Sequence, residues 1–200
     1  MNLRIPDVLR NNAATVFLLI VLTASISLNL TLGMKYRNLV SPRPTGITTG
    51  VELLTIPVLD KTGAKSLVTL HGNSMSTILY VMSPTCIWCA RNLNNIRTLA
   101  EHRSTAYRFI GLSTTSDKLT EYLQSTKLPF DVTTIDQSKL PKNIRFDSTP
   151  EMILVSSTGR VSKVWTGALE GDRKAQAEAF FHLKLPGLPG SENVTPAKVL

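Results

Sequence analysis

Cys86 and Cys89 are the only two cysteines in a chain of 200 residues, and they stand three positions apart. An apolar run, Ile78 to Met82, precedes them and is broken by Ser83-Pro84-Thr85; apolar side chains follow at helical spacing, at Cys89, Leu93, Ile96 and Ala100. The pattern predicts a buried strand, a break, and a helix to about His102 with Cys86 in its first turn. A helix N-terminus offers unpaired N–H groups and partial positive charge, which favour a thiolate over a thiol. Cys86 is then the attacking sulfur, and Cys89, one turn deeper, resolves the mixed disulfide. Arg91 is expected to help the helix dipole stabilise that thiolate and so make the disulfide more oxidising.

A second element lies downstream: Ser148-Thr149-Pro150-Glu151-Met152-Ile153-Leu154-Val155, a polar turn through Thr158-Gly159, and Val161 to Gly167. Together with the strand-CxxC-helix unit it resembles the thioredoxin superfamily over roughly Gly50 to Leu185. Within that superfamily it is most similar to the membrane-anchored, extracytoplasmic redoxin branch of cytochrome c maturation and periplasmic disulfide reduction. The resemblance implies an α/β, thioredoxin-like fold, a central mixed sheet flanked by helices, with an N-terminal hairpin extension and an N-terminal transmembrane helix. It implies a cis bond at Thr149–Pro150 facing the cysteines, with the Thr149 backbone pairing to an extended substrate peptide as an edge strand does. Ile87 and Trp88, between the cysteines, would face outward as an apolar contact surface.

The chain departs from that pattern twice. Many thioredoxins carry a buried acid six residues before the first cysteine, where this chain has Tyr80. The cytochrome-maturation reductases often have Glu three residues after the second cysteine, where it has Asn92. Both are read as packing and helix-surface residues, because a phenol with a pKa of about 10 is a poor base at neutral pH.

Those cysteines need elements to position them. Val51 to Leu59 and Ser66 to Leu70, across the turn at Asp60-Lys61-Thr62-Gly63, read as a hairpin, and Tyr107 to Leu112 as a buried strand. Ser116-Asp117 caps a helix through about Lys127, Phe130 to Ile135 is a short strand, and Leu140 to Phe146 is a helical turn or irregular. Met152–Val155 and Val161–Trp165 form a last hairpin, and a final helix runs from Arg173 to about Leu183.

Composition and the resemblance together imply an N-terminal tail (1–12), cytoplasmic by the resemblance, a membrane anchor or signal peptide (13–34), a linker (35–49), the thioredoxin-like domain (50–185) and a disordered tail (186–200). No charge occurs from Asn11 to Met34, and Ala13 to Leu32 is long enough to cross a bilayer core of about 30 Å. Pro42, Pro44, Gly46 and Gly50 mark the linker; Pro186, Gly187, Pro189, Gly190 and Pro196 mark the tail. The branch and the short tail place the protein in a bacterial inner membrane as a single pass, the C-terminal domain facing the periplasm or cell exterior.

The net charge of +8 is split evenly between residues 1–49 and the rest, with no basic run and no aromatic-basic alternation, which argues against nucleic acid as a partner. The expected partners are protein thiols and disulfides, a membrane electron donor or acceptor and the lipid bilayer. No cofactor is expected beyond a redox-active Cys86–Cys89 disulfide, and no metal, since His71, His102 and His182 lack partners at ligand spacing. Three other readings of the fold stay open here: a peroxide reductase, suggested faintly by Pro84-Thr85-Cys86; a copper-delivery protein using His182; and an anchored binding module whose cysteine bridge never cycles.

Overall fold

The computed structural model describes residues 7–40, 46–60 and 62–190, with side chains in the first of these segments over 15–35. The chain divides into two units, Met1–Arg43 and Pro44–Leu200.

The first unit holds one helix, α1 (Asp7–Val40). It extends beyond the 13–34 anchor on both sides, and its last residues fall where a linker was expected. Within it Thr15–Lys35 is long and apolar enough to cross a membrane, and its side chains are exposed. The polar side chains along it turn back onto the helix: Thr23 Oγ1 donates to the Ile20 carbonyl at 2.9 Å, Asn29 Nδ2 to Ser25 at 2.9 Å and Thr31 Oγ1 to Ser27 at 3.0 Å. Internal pairing of this kind is what a hydrocarbon surrounding demands of polar groups.

The second unit is built on seven strands, β1 (Thr55–Leu59), β2 (Lys65–Thr69), β3 (Thr77–Met82), β4 (Arg108–Ser113), β5 (Val132–Ile135), β6 (Glu151–Val155) and β7 (Val161–Thr166). They form one sheet in the order β2-β1-β5-β4-β3-β6-β7. β3, β4 and β5 run parallel; β6 is antiparallel to β3, and β7 to β6. The β1–β2 hairpin pairs antiparallel to β5 and extends the sheet. β3 lies third from the β7 edge, between β4 and β6, and is buried throughout, which is why its sequence is nearly continuously apolar.

Strand alternation sorts the core. Leu79, Val81, Ile110, Leu112, Ile153 and Val155 pack with Ile47, Leu53, Ile144 and Phe146 from irregular segments. Ile78, Tyr80, Met82, Met152 and Leu154 pack with the helices α2 (Ile87–Arg91), α3 (Leu93–Arg103) and α5 (Gly171–Phe181), with Leu119, Tyr122 and Leu123 of α4 (Leu119–Thr126) at the margin. The β6–β7 hairpin turns through Gly159 at φ +83°, a backbone conformation that favours glycine.

Two local expectations are corrected. The α4 N-cap is Lys118 in the left-handed region, without a side-chain cap, because Thr115 Oγ1 rather than Ser116 takes the Asp117 N–H. A short 3-10 turn at Gln137–Lys139, capped by Asp136, precedes the irregular stretch to Phe146. Of the expected disordered tail, Pro186–Gly190 is packed: Leu188 is buried and the Gly187 N–H donates to Asn95 Oδ1 at 2.7 Å. Residues 191–200 lie outside the described residues.

Candidate functional site

The chain leaves β3 at Met82, turns through Ser83–Thr85 and enters α2, placing both cysteines at the C-terminal end of a central parallel strand. Cys86 is the N-cap of α2 rather than part of its first turn; its backbone is extended, and its Sγ accepts the Cys89 N–H at 3.1 Å. The proline two residues earlier breaks the strand before a full helical turn can form ahead of Cys86. Cys86 is partly exposed and Cys89 fully buried, and both are free thiols. One sulfur reaches the surface while the other lies behind it.

Burial is the largest influence on the Cys89 thiol and pushes its pKa well above the ordinary value; the hydrogen bond with Cys86 pushes the same way. The Ser83 backbone and the Thr149 side chain oppose this by hydrogen bonding to it, which sets the Thr149–Pro150 loop against the buried sulfur. The Thr149–Pro150 peptide bond is cis.

Ile87 and Trp88 are 69% and 43% exposed, and so lie on the surface beside Cys86. Arg91 has two described contacts. Its guanidinium lies over the Trp88 ring, 4.7 Å from the centroid, and its Nη2 donates to the Pro189 carbonyl at 3.5 Å. These contacts brace Trp88 and reach the C-terminal segment.

Asn92 is not a helix-surface residue: it is 1% exposed and sits at the break between α2 and α3. Its Oδ1 accepts from Asn95 Nδ2 and from the Leu169 N–H, both at 3.0 Å. Asn95 Nδ2 also donates to the Leu169 carbonyl at 3.0 Å, and its Oδ1 takes the Gly187 N–H. Two buried carboxamides thus tie the cysteine helix to the β7–α5 loop and to the C-terminal segment. Sequence reasoning missed Asn95, although a polar residue on the α3 stripe that includes Ile96 and Leu99 was a visible sign of it.

The buried carboxylate nearest the site is Glu151, directly after Pro150. Strand alternation turns it to the Val81 and Ile153 side of the sheet, away from Cys89 and Met152. Its Oε1 accepts from Thr166 Oγ1 at 2.9 Å, while Oε2 is buried without a protein partner. Burial raises its pKa, the Thr166 bond offsets part of this, and the Asp147 charge adds to the rise. A carboxyl held above its unfolded value binds a proton more readily when folded, so stability falls as pH rises from the ordinary value of 4.5. Glu151→Gln is therefore expected to be more stable than the parent at neutral pH, on the order of 1 kcal/mol, with the gain vanishing below that value in denaturant titrations at a series of pH values.

Tyr80 is 1% exposed, and both its hydroxyl and that of Tyr122 are buried without a protein hydrogen-bond partner. Both tyrosines pack in the cluster that holds Cys89. Among the described residues no group of three or more His, Cys, Asp or Glu is placed to hold a metal ion.

The sequence matches no family model, and no curated protein matches it. Its likeness is to solved structures. One is the thioredoxin domain of a thiol-disulfide oxidoreductase from Bacteroides vulgatus, with a TM-score of 0.53 and 17% identity over 68% of this chain and 99% of that one. A protein described as the thiol:disulfide interchange protein DsbE from Chlorobium tepidum gives a TM-score of 0.55 at 15% identity, over 68% of this chain and 98% of that one. A thiol:disulfide interchange protein from a Bacteroides species gives 0.51 at 16% identity, over 68% and 92%. At these identities the likeness is one of fold: the chain has a thioredoxin-like fold.

Proposed function

We propose that this thioredoxin-fold chain is a membrane-tethered thiol-disulfide oxidoreductase that exchanges disulfides with extracytoplasmic protein substrates. The observation that carries the reading is the pairing of a partly exposed Cys86 sulfur with a buried Cys89 one turn behind it, the Thr149 side chain reaching the latter.

In the reducing direction the Cys86 thiolate attacks one sulfur of a substrate disulfide, forming a Cys86–substrate bond and releasing the other sulfur as a thiolate. Cys89 then attacks Cys86 Sγ, the Cys86–Cys89 bond forms, and the second substrate sulfur leaves with the proton that Cys89 gives up. Two electrons pass from the cysteine pair to the substrate, and the reverse sequence oxidises a dithiol. Thr149 and Pro150 hold the substrate strand, and Ile87 and Trp88 supply an apolar contact beside the reacting sulfur.

Thr15–Lys35 serves as the anchor, which raises the local concentration of the domain at membrane-bound partners, including an electron donor or acceptor in the same bilayer. A chain whose only thiols form one CxxC leaves none to oxidise wrongly, which suits the periplasmic face of a bacterial inner membrane. The full-length chain in detergent is expected to accelerate reduction of insulin by dithiothreitol, and Cys86→Ser to return the rate to background. Equal rates with parent and variant would remove the reading.

A further inference from the structure

Resolution of the mixed disulfide asks a buried sulfur to carry negative charge. Cys89 is fully buried, and its thiol is the group that must ionise as it attacks Cys86. A buried anion is costly unless hydrogen-bond donors surround it. Thr149 and the Ser83 backbone are two groups already acting on it. The buried carboxylate after Pro150, Glu151, lies on the other side of the sheet and takes no part.

Two further polar groups share the Cys89 cluster. Tyr80 comes from β3 and Tyr122 from α4, so they approach from the sheet and from a separate helix. Each buries a hydroxyl with no protein hydrogen-bond partner. Buried polar groups are nearly always paired in folded proteins, so two phenols without a hydrogen bond in the cluster that holds the reacting sulfur call for an account.

We propose that the Tyr80 and Tyr122 hydroxyls donate hydrogen bonds to the Cys89 thiolate as it forms, standing in for the carboxylate that such sites often carry. The proposal rests on the oxidoreductase reading and adds two thiolate-stabilising residues to it. The phenols act as donors, not as bases. Burial raises the pKa of both, to about 12 for Tyr122, and negative charge on Cys89 raises both further, while the Asn92 side chain works against the rise at Tyr80 and Arg97 against that at Tyr122. They therefore keep their protons through the reaction. The Cys89 proton ends on the departing substrate thiolate, and no base from the protein is needed to balance the step.

The test uses the full-length reduced chain in detergent with one equivalent of Ellman's reagent. Attack by Cys86 releases the first chromophore, and attack by Cys89 on the resulting mixed disulfide releases the second. Tyr122→Phe and Tyr80→Phe are each expected to leave the first phase unchanged and to slow the second about tenfold, the effect of one hydrogen bond to a charged group. Because Tyr122→Phe removes a hydroxyl without a protein partner, the folded stability of that variant should not fall. Tyr122→Phe, at the margin of the cluster, carries the test even if the deeper Tyr80→Phe folds poorly. Second-phase rates equal to the parent in Tyr122→Phe, or both phases slowed alike, would overturn the proposal while leaving the oxidoreductase reading intact. A parent chain that releases no second chromophore would overturn both.

Discussion

Cys89→Ser is expected to turn the chain into a trap that stays covalently joined to its protein substrates through Cys86. Attack by Cys86 needs only the partly exposed sulfur at the α2 cap, which the substitution leaves in place. Release needs a second sulfur already held beside the first, and serine at that depth is no substitute, its hydroxyl being a far weaker nucleophile than a thiolate. Intramolecular positioning of a reacting group commonly supplies very large effective concentrations, so release should slow by on the order of 10³-fold or more. Non-reducing gels of membranes from cells carrying the variant should show adducts that collapse on adding thiol. Cys86→Ser, and the double variant, should show none. Adducts formed equally by Cys86→Ser would mean that the exposed and buried roles are reversed.

The second large effect concerns the scaffold behind the cysteines. Asn95→Ala removes the acceptor of the buried Gly187 N–H and the donor shared by Asn92 Oδ1 and the Leu169 carbonyl. Each buried group left unpaired costs about 1–3 kcal/mol, so a loss of about 3 kcal/mol is expected, enough to lower the midpoint of thermal unfolding by roughly 10 °C. The loss should be felt at the site as well. Pro186–Gly190 is held by Asn95 on one side and contacts Arg91 through the Pro189 carbonyl on the other, and Arg91 braces Trp88. Hydrogen exchange should rise first at Gly187 and its neighbours in this variant. Stability within about 0.5 kcal/mol of the parent would show that the two carboxamides are not the latch described.

Much of this was legible beforehand because it is written in local pattern. The apolar run at Ile78–Met82, the breaker Ser83-Pro84-Thr85 and the helical spacing after Cys89 locate the cysteine pair, since strand burial and helix periodicity leave direct marks on sequence. The β6–β7 hairpin is equally visible through Thr158-Gly159.

What stayed hidden depends on contacts between distant segments. Asn92 is polar and helical, features shared with any exposed position; only its pairing with Leu169, 77 residues on, makes it a buried hub. Arg91 sits two residues past Cys89, close enough in sequence to suggest a role at the sulfur, yet side-chain direction along a helix sends it over Trp88. The Pro/Gly-rich stretch after Leu185 has the composition of a tail, and no local signal shows that Leu188 is buried. Tyr122 lies on a helix with no fully buried residue, so nothing in its own segment connects it with a cysteine more than thirty positions earlier.

The central claim is that Cys86 and Cys89 form and break a disulfide with each other in the working range of thiol exchange. The most direct test is to equilibrate the full-length chain in detergent across graded thiol-disulfide buffers and to measure the oxidised fraction by mass. The account predicts one two-electron transition, confined to Cys86 and Cys89, with a midpoint above about −300 mV. A pair that stays reduced under every oxidising buffer, or a bridge whose midpoint falls below that value, would contradict it.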